Sequence, residues 1–363
     1  MCLVEPLVAG ANAAFQARLE ILSEILAETR IPAGEIWQED CISREVLTDL
    51  LEDWRDMDFP AFAKNLGDMP HFVARIDGQT QHFLHFQTTT PAPAVLMLHG
   101  WPSSFLEMHA IQQSLARLRS ATCVIPSLPG FAFSRPLEVP PSVGTIACTL
   151  LILMTSLGHT KFFIHANDWG SVVAQEIARR APERVMGLHA SFLPTPPPEN
   201  RVFTGEDGRR ATMTREYVKD RAPYWRIQSQ APQTLGLALD TSPVGLLAWI
   251  ADRFLSWRDP ALPFDPVAIL RTATLYWATR SAASSMHIYH ANRKRMPSPA
   301  PQVPLGVAVM PRDLVLPIRS LAKERFNVLR WTEFEIGGHF PGFEVPDDIA
   351  ADLDSFLKEL EYV

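Results

Sequence analysis

This chain has little cysteine, no excess of positive charge and no long apolar run. Its four cysteines, Cys2, Cys41, Cys123 and Cys148, form no CxxC pair and no set of close spacings. That argues against a disulfide framework and leaves reduced thiols in a cytoplasm as the expectation. A formal net charge of −7 argues against nucleic acid or an anionic membrane as a partner. No apolar stretch reaches the roughly 18 residues needed to cross a bilayer. The first thirty residues carry Glu5, Arg18, Glu20, Glu24 and Glu28, a pattern that fits neither a secretory signal nor a membrane anchor. No internal repeat is visible. G-x-S-x-G is missing, which argues against a serine esterase.

What is present is a sequence with 47% hydrophobic and 20% charged residues over 363 positions, ample for one large or two ordinary domains. Residues 11–30 and 43–57 carry helical periodicity, as in Phe15, Leu19, Leu22 and Ile25. Residues 71–86 read as two strands around an Asp77-Gly78 turn. After Pro91-Ala92-Pro93, residues 94–98 form a continuous apolar run of the kind found in buried parallel strands. Strand and helix then alternate: strands at 123–125, 162–164 and 185–190, helices at 142–157 and 171–180. This alternation is the mark of an α/β fold with a mostly parallel sheet flanked by helices.

Prolines punctuate the rest. Pro194 to Pro198 ends the alternating regime, and residues 213–292 are helical in pattern with no clear strand. Met296-Pro297-Ser298-Pro299-Ala300-Pro301 closes that block. Strands return at 305–309 and 328–334, and a last helix covers about 347–360. The expected organisation is an N-terminal meander over 1–93, the first half of an α/β core over 94–193, a helical lid over 194–302 and the second half of the core over 303–363.

Chemistry concentrates at His165-Ala166-Asn167-Asp168-Trp169-Gly170-Ser171. A short buried strand precedes it and a helix follows. Small residues stand two before and two after Asp168, as in a nucleophile elbow, where the backbone is strained and the helix packs close to the strand. A carboxylate at this point attacks an electrophilic carbon and forms an ester with it. That restricts the chemistry to alkyl transfer followed by hydrolysis, chiefly epoxide opening or dehalogenation. An Asp that merely caps the next helix is the bland alternative.

The order nucleophile, acid, histidine predicts the partners. Gly337-Gly338-His339-Phe340 lies between the last strand and the last helix, and His339 is the candidate base. Asp313, after the strand at 305–309 and 26 residues before His339, is the candidate acid that orients the imidazole. Glu199 is a rival acid. His99-Gly100-Trp101-Pro102 follows the first buried strand, so the backbone N–H groups of Trp101 and Trp169 are the candidate oxyanion hole. A cis proline fits that loop, and His99 reads as structural. Four of the five tyrosines, Tyr217, Tyr224, Tyr276 and Tyr289, fall in the presumed lid. Tyrosine is a neutral donor suited to an epoxide oxygen. No cofactor and no metal is expected.

These motifs resemble those of the microsomal-type epoxide hydrolases, a branch of the α/β-hydrolases with an extra N-terminal segment. The resemblance runs from about Trp54 to the end. It rests on Met69-Pro70-His71-Phe72 with Ile76-Asp77-Gly78, on His99 to Ser104, and on Asn167 to Ser171. It rests also on Ile227-Gln228 with Pro232-Gln233-Thr234 and Asp240 to Leu246, on Leu275-Tyr276-Trp277 with Ser284-Ser285, and on Gly337 to Phe340 with Glu344 and Pro346. Carried over, it implies Asp168 as nucleophile, His339 as base, Asp313 as acid, and Tyr224 and Tyr289 as donors to the epoxide oxygen. Tyr217 and Tyr276 are read as packing residues, and Glu107 and Glu344 as structural. Departures are Ala166 and Ser103 for usual glycines, Arg280 in a small-residue run, Pro341-Gly342 after the histidine, and no counterpart of the membrane anchor of some members.

The resemblance implies a cofactor-independent epoxide hydrolase acting with water on a small apolar epoxide in the cytoplasm, in detoxification or in aromatic hydrocarbon catabolism. A homodimer is the assembly it suggests. A haloalkane dehalogenase using the same Asp-His-acid set is the nearest alternative. A catalytically silent binding protein on the same scaffold is another.

Overall fold

The structure, a computed structural model, describes residues 3–7, 12–31, 42–89, 92–220, 223–295 and 298–361. Cys2, Cys41, Pro91, Met296, Pro297 and the first residue of the helix expected at 11–30 lie outside the described residues. Cys123 and Cys148 are free thiols.

An N-terminal segment contributes β1 (Leu3–Pro6), α1 (Ala13–Glu28), α2 (Arg44–Arg55), α3 (Phe59–Gly67), β2 (His71–Ile76) and β3 (Gln79–Phe86). The first half of the core follows with β4 (Ala94–Leu98), α4 (Phe105–Leu118), β5 (Thr122–Pro126), α5 (Val143–Ser156), β6 (Phe162–Ala166), α6 (Asp168–Arg180) and β7 (Val185–Ala190). Six helices come next: α7 (Gly205–Asp220), α8 (Pro223–Gln230), α9 (Pro232–Thr241), α10 (Pro243–Trp257), α11 (Pro266–Thr279) and α12 (Ser281–Asn292). The chain ends with β8 (Leu305–Val309), α13 (Arg319–Arg325), β9 (Val328–Glu333), α14 (Pro341–Glu344) and α15 (Pro346–Glu361).

The strands join one sheet in the order β1-β2-β3-β5-β4-β6-β7-β8-β9. Pairing is antiparallel from β1 to β5 and parallel from β5 to β9. The parallel strands β4, β5, β6 and β8 are buried along their whole length. This explains why they read as continuous apolar runs rather than as alternation. The Asp77-Gly78 turn joins β2 to β3 with both residues at positive φ, 49° and 80°, the backbone of a two-residue hairpin. Five elements carry no expectation from the sequence: β1, α3, α4, α13 and α14. In α1 the buried stripe is Phe15, Leu19, Leu22 and Leu26, so Leu26 takes the place in the core expected of Ile25.

The N-terminal segment grips the helical insertion. Trp54 of α2 is fully buried and donates its indole N–H to Thr274 Oγ1 of α11 at 2.8 Å. Truncating so buried an indole to alanine costs about 3–5 kcal/mol. Arg18 of α1 lies over the Trp277 ring at 4.4 Å and donates to the Trp277 carbonyl. The Ile42 amide donates to Asp252 of α10. Among the described residues no single helix is long and apolar enough to cross a membrane.

A second tie joins the segment to the core through two buried histidines. The carbonyl of Leu66 can only accept, so His71 Nε2 carries the proton (2.7 Å). His71 Nδ1 then accepts from His82 Nε2 at 2.8 Å, and His82 Nδ1 from the Ser127 hydroxyl at 2.8 Å. Each imidazole works only when neutral. Burial holds His71 down to about 4 and His82 well below its ordinary value. Burial lowers His85, His99 and His109 to about 4 as well. The unfolded chain binds protons at these groups near pH 6.5, whereas the folded chain does not until about pH 4. The stability they support is therefore present above pH ~6.5 and drains as pH falls toward ~4. Thermal unfolding should show a midpoint that drops between about pH 7 and about pH 5. A midpoint constant over that range would contradict the assignment.

Candidate active site

The elbow sits where β6 turns into α6. Asp168 has φ 48°, a left-handed conformation costing of order 1–3 kcal/mol for a residue with a side chain. Surrounding contacts hold it there. Asn167 N–H donates to the Leu98 carbonyl at 3.0 Å, and the Ser171 hydroxyl to the Ala166 carbonyl at 2.9 Å. Two glycines admit the close approach. A Cβ on Gly170 would stand 2.3 Å from the Leu98 carbonyl oxygen, and one on Gly100 1.9 Å from Asp168 Oδ1.

The two carboxylate oxygens of Asp168 meet different partners. Oδ1 accepts the Trp101 backbone N–H at 2.8 Å. Oδ2 lies 3.3 Å from His339 Nε2, and nothing among the described residues hydrogen-bonds to that nitrogen. Trp169 belongs to the first turn of α6, whose amides have no intrahelical acceptor. The Trp101–Pro102 bond is cis.

His339 Nδ1 is 2.7 Å from Asp313 Oδ1 on the loop after β8. Glu199, the rival acid, is exposed, and it is Asp313 that holds the His339 Nδ1. Burial alone would favour neutral His339, but Asp313 and then Asp168 outweigh it and raise the imidazole to about 10. The loop carrying His339 is fastened at several points. Its amide donates to the Trp257 carbonyl at 2.8 Å, and its carbonyl accepts from the Asn167 side chain at 2.7 Å. Glu344 accepts from the amides of Asp259, Gly338 and Phe340 at 2.7, 2.9 and 3.0 Å. Asp259 in turn accepts from Gly337 N–H at 2.9 Å.

Glu107 has the structural place expected of it. It is fully buried, accepts from the Ser103 hydroxyl at 2.6 Å and lies 3.4 Å from the Asn167 amide. Burial raises it to about 7, with Ser103 the main opposing influence. Ser103, the departure in the oxyanion loop, thus has a use that glycine would not supply. His99 is structural too: it accepts from Leu128 N–H and bonds the Gly100 carbonyl.

The helical insertion roofs the carboxylate with aromatic rings. Tyr224 stacks on Trp101 at 5.8 Å and 8°, while Tyr289 meets Trp101 and Trp169 edge-on at 5.8 and 5.1 Å. Trp257 and Phe192 stand edge-on to His339 at 5.1 and 5.3 Å. Trp225 stacks on Trp169 at 5.3 Å. Burial pushes both phenols well above their ordinary pKa, and the Asp168 charge adds to the effect, so they stay neutral donors. Tyr276 donates to the Ser103 carbonyl at 2.9 Å, the packing role read for it. Tyr217 packs against the core as read, and its hydroxyl also reaches Tyr224 at 3.3 Å. The sequence reading also passed over Trp257, Asp259 and Trp225. Their parts are played by a carbonyl, by a bond over 78 residues and by ring stacking, and only the lid's richness in aromatics hinted at them. Among the described residues no cluster of three His, Cys, Asp or Glu could hold a metal ion.

A family model described as "Epoxide hydrolase N terminus" matches residues 12–108, and one described as "alpha/beta hydrolase fold" matches residues 93–343. A protein of Stigmatella aurantiaca named as a candidate epoxide hydrolase is 32% identical, over 95% of this chain and 83% of its own length. The chain belongs to the microsomal-type epoxide hydrolase family. Epoxide hydrolase 1 of Sus scrofa is 27% identical over 87% of this chain and 80% of its own. The solved structure of Aspergillus niger epoxide hydrolase superposes with a TM-score of 0.89 at 27% identity, covering 99% of this chain and 97% of that one. The enzyme is thus an epoxide hydrolase with the α/β-hydrolase fold.

The closeness of Gly100 to Asp168 gives a direct test in this epoxide hydrolase. Gly100→Ala drives a methyl group into the space of Asp168 Oδ1. Epoxide turnover should fall by at least about 100-fold, with thermal unfolding monitored to separate misplacement of Asp168 from loss of fold. A Gly100→Ala enzyme that keeps full turnover would contradict the geometry.

Proposed function

We propose that this epoxide hydrolase works through a covalent ester on Asp168. The observation that carries the reading is the division of labour between the two Asp168 oxygens. One is fixed by the Trp101 N–H, and the other stands beside His339. In this reading Oδ2 attacks the less hindered epoxide carbon, and the carbon–oxygen bond of the ring breaks. Tyr224 and Tyr289 donate to the leaving oxygen, which would otherwise become an unsupported alkoxide.

The second half begins with a change of charge. Before attack, the imidazole is held in its protonated form by two carboxylates. Esterification removes the Asp168 charge and its contact with Nε2, so the His339 pKa falls, its proton is released to solvent and the neutral base becomes available. His339 then takes a proton from water, and the hydroxide adds to the ester carbonyl. The oxyanion forms on Oδ1, where the Trp101 N–H already points, with the Trp169 N–H as second donor. Breakage of the acyl–oxygen bond, with the proton on His339 passing to the leaving oxygen, releases a vicinal diol. Asp313 holds the imidazole in the required tautomer throughout.

The aromatic roof favours small, flat, apolar epoxides. The same reading assigns the activity to detoxification or to the catabolism of aromatic hydrocarbons. With styrene oxide as substrate, Asp168→Ala should lower diol formation by at least about 10³-fold. Full diol formation by this variant would sink the ester mechanism. Halide release from a haloalkane at a rate matching or exceeding epoxide turnover would favour dehalogenation instead.

A further inference from the structure

Tyr217 has no part in the mechanism above, yet its hydroxyl donates to the Tyr224 hydroxyl at 3.3 Å. The bond joins α7 to α8 across the roof of the site. Its direction matters. A phenol has one proton to give, and its oxygen can also accept. With the Tyr217 proton placed on the Tyr224 oxygen, the Tyr224 proton is free to point elsewhere. The Tyr224 ring itself is fixed, stacked on Trp101 and edge-on to Trp257 at 5.0 Å.

Positive charge lies close by. The Arg253 guanidinium stands 5.4 Å from the Tyr224 ring centre, largely buried and ion-paired with the Asp252 carboxylate. The same charge acts on Tyr217. Burial nonetheless pushes the Tyr217 hydroxyl up to about 12, so it remains a proton donor. A neutral hydroxyl donating to its oxygen is what a phenolate forming on Tyr224 would need.

We propose that Tyr217 is a positioning residue for ring opening: it orients the Tyr224 proton toward the epoxide and stabilises the negative charge that Tyr224 acquires. This rests on the reading of Tyr224 as an epoxide-oxygen donor. In the step concerned, the Asp168–carbon bond forms as the epoxide carbon–oxygen bond breaks. The Tyr224 proton passes to the freed oxygen, leaving a phenolate. Tyr217 keeps its own proton and tightens its bond to that phenolate. Ester hydrolysis by water leaves one proton on the Asp168 carboxyl group, and its return to Tyr224 restores the resting enzyme. Tyr217 thus serves the first half of the reaction and not the second.

The test is single-turnover stopped-flow with styrene oxide, followed by the fluorescence of the tryptophans around Asp168. Tyr217→Phe keeps the ring and loses only the hydroxyl. Ester formation should slow about tenfold, a loss of the size expected for one hydrogen bond to a charged group, while ester hydrolysis keeps its wild-type rate. Tyr217→Phe added to Tyr224→Phe should slow ester formation no further, because the two hydroxyls act as a unit. Unchanged ester formation in Tyr217→Phe overturns the proposal. So does equal slowing of both half-reactions, the mark of a general structural role, and so does an additive double variant. If Tyr224→Phe alone leaves ester formation unchanged, the donor reading of Tyr224 falls and takes this inference with it. If Tyr224→Phe slows the step and Tyr217→Phe does not, only the inference falls.

Discussion

The site depends on holding one carboxylate in a backbone conformation that it would not choose. At φ 48°, Asp168 offers Oδ1 to the Trp101 amide and Oδ2 to His339. A serine at the same turn would present a single oxygen to both tasks. The carboxylate separates them, so in the proposed ester mechanism the oxygen that would become the oxyanion is already bonded before any substrate arrives. Preorganisation of this kind leaves little to rearrange as charge develops. The strain it needs is sustained by close packing around the elbow, where Gly100 and Gly170 leave no room for even one additional carbon.

The layers outside the site pass this constraint outward. The N-terminal segment grips α11 through Trp54 and Arg18. Beside α11, α10 ends at Trp257, whose carbonyl receives the His339 amide. Asp259 and Glu344 then hold the amides on either side of that histidine. A chain of direct contacts therefore runs from the first helices through the roof to His339. The roof contributes rings and phenols to the reaction space, and it also sets the position of the imidazole against Asp168.

Much of this was legible in the sequence because it is written locally. The elbow, the Gly-Gly-His turn and the strand before Asp313 are short patterns whose residue types are dictated by backbone geometry. Buried parallel strands announce themselves as apolar runs, and the edges of the helical insertion are marked by proline. The misses share a cause. β1 is four residues long with Glu5 in it, too short and too polar to read as a strand. α3 begins Phe59-Pro60 and spans only nine residues. Tyr217 looked like packing because no local pattern reveals what a hydroxyl meets in another helix. Trp257 serves through a carbonyl, a group that every residue possesses.

In the proposed mechanism Asp168 becomes an ester and His339 is needed to release it. Intact mass spectrometry and peptide mapping of His339→Gln incubated with styrene oxide test both parts at once. The expected result is a mass gain of one substrate, located on the peptide containing Asp168. An enzyme that forms diol but never carries the adduct on that peptide would contradict it.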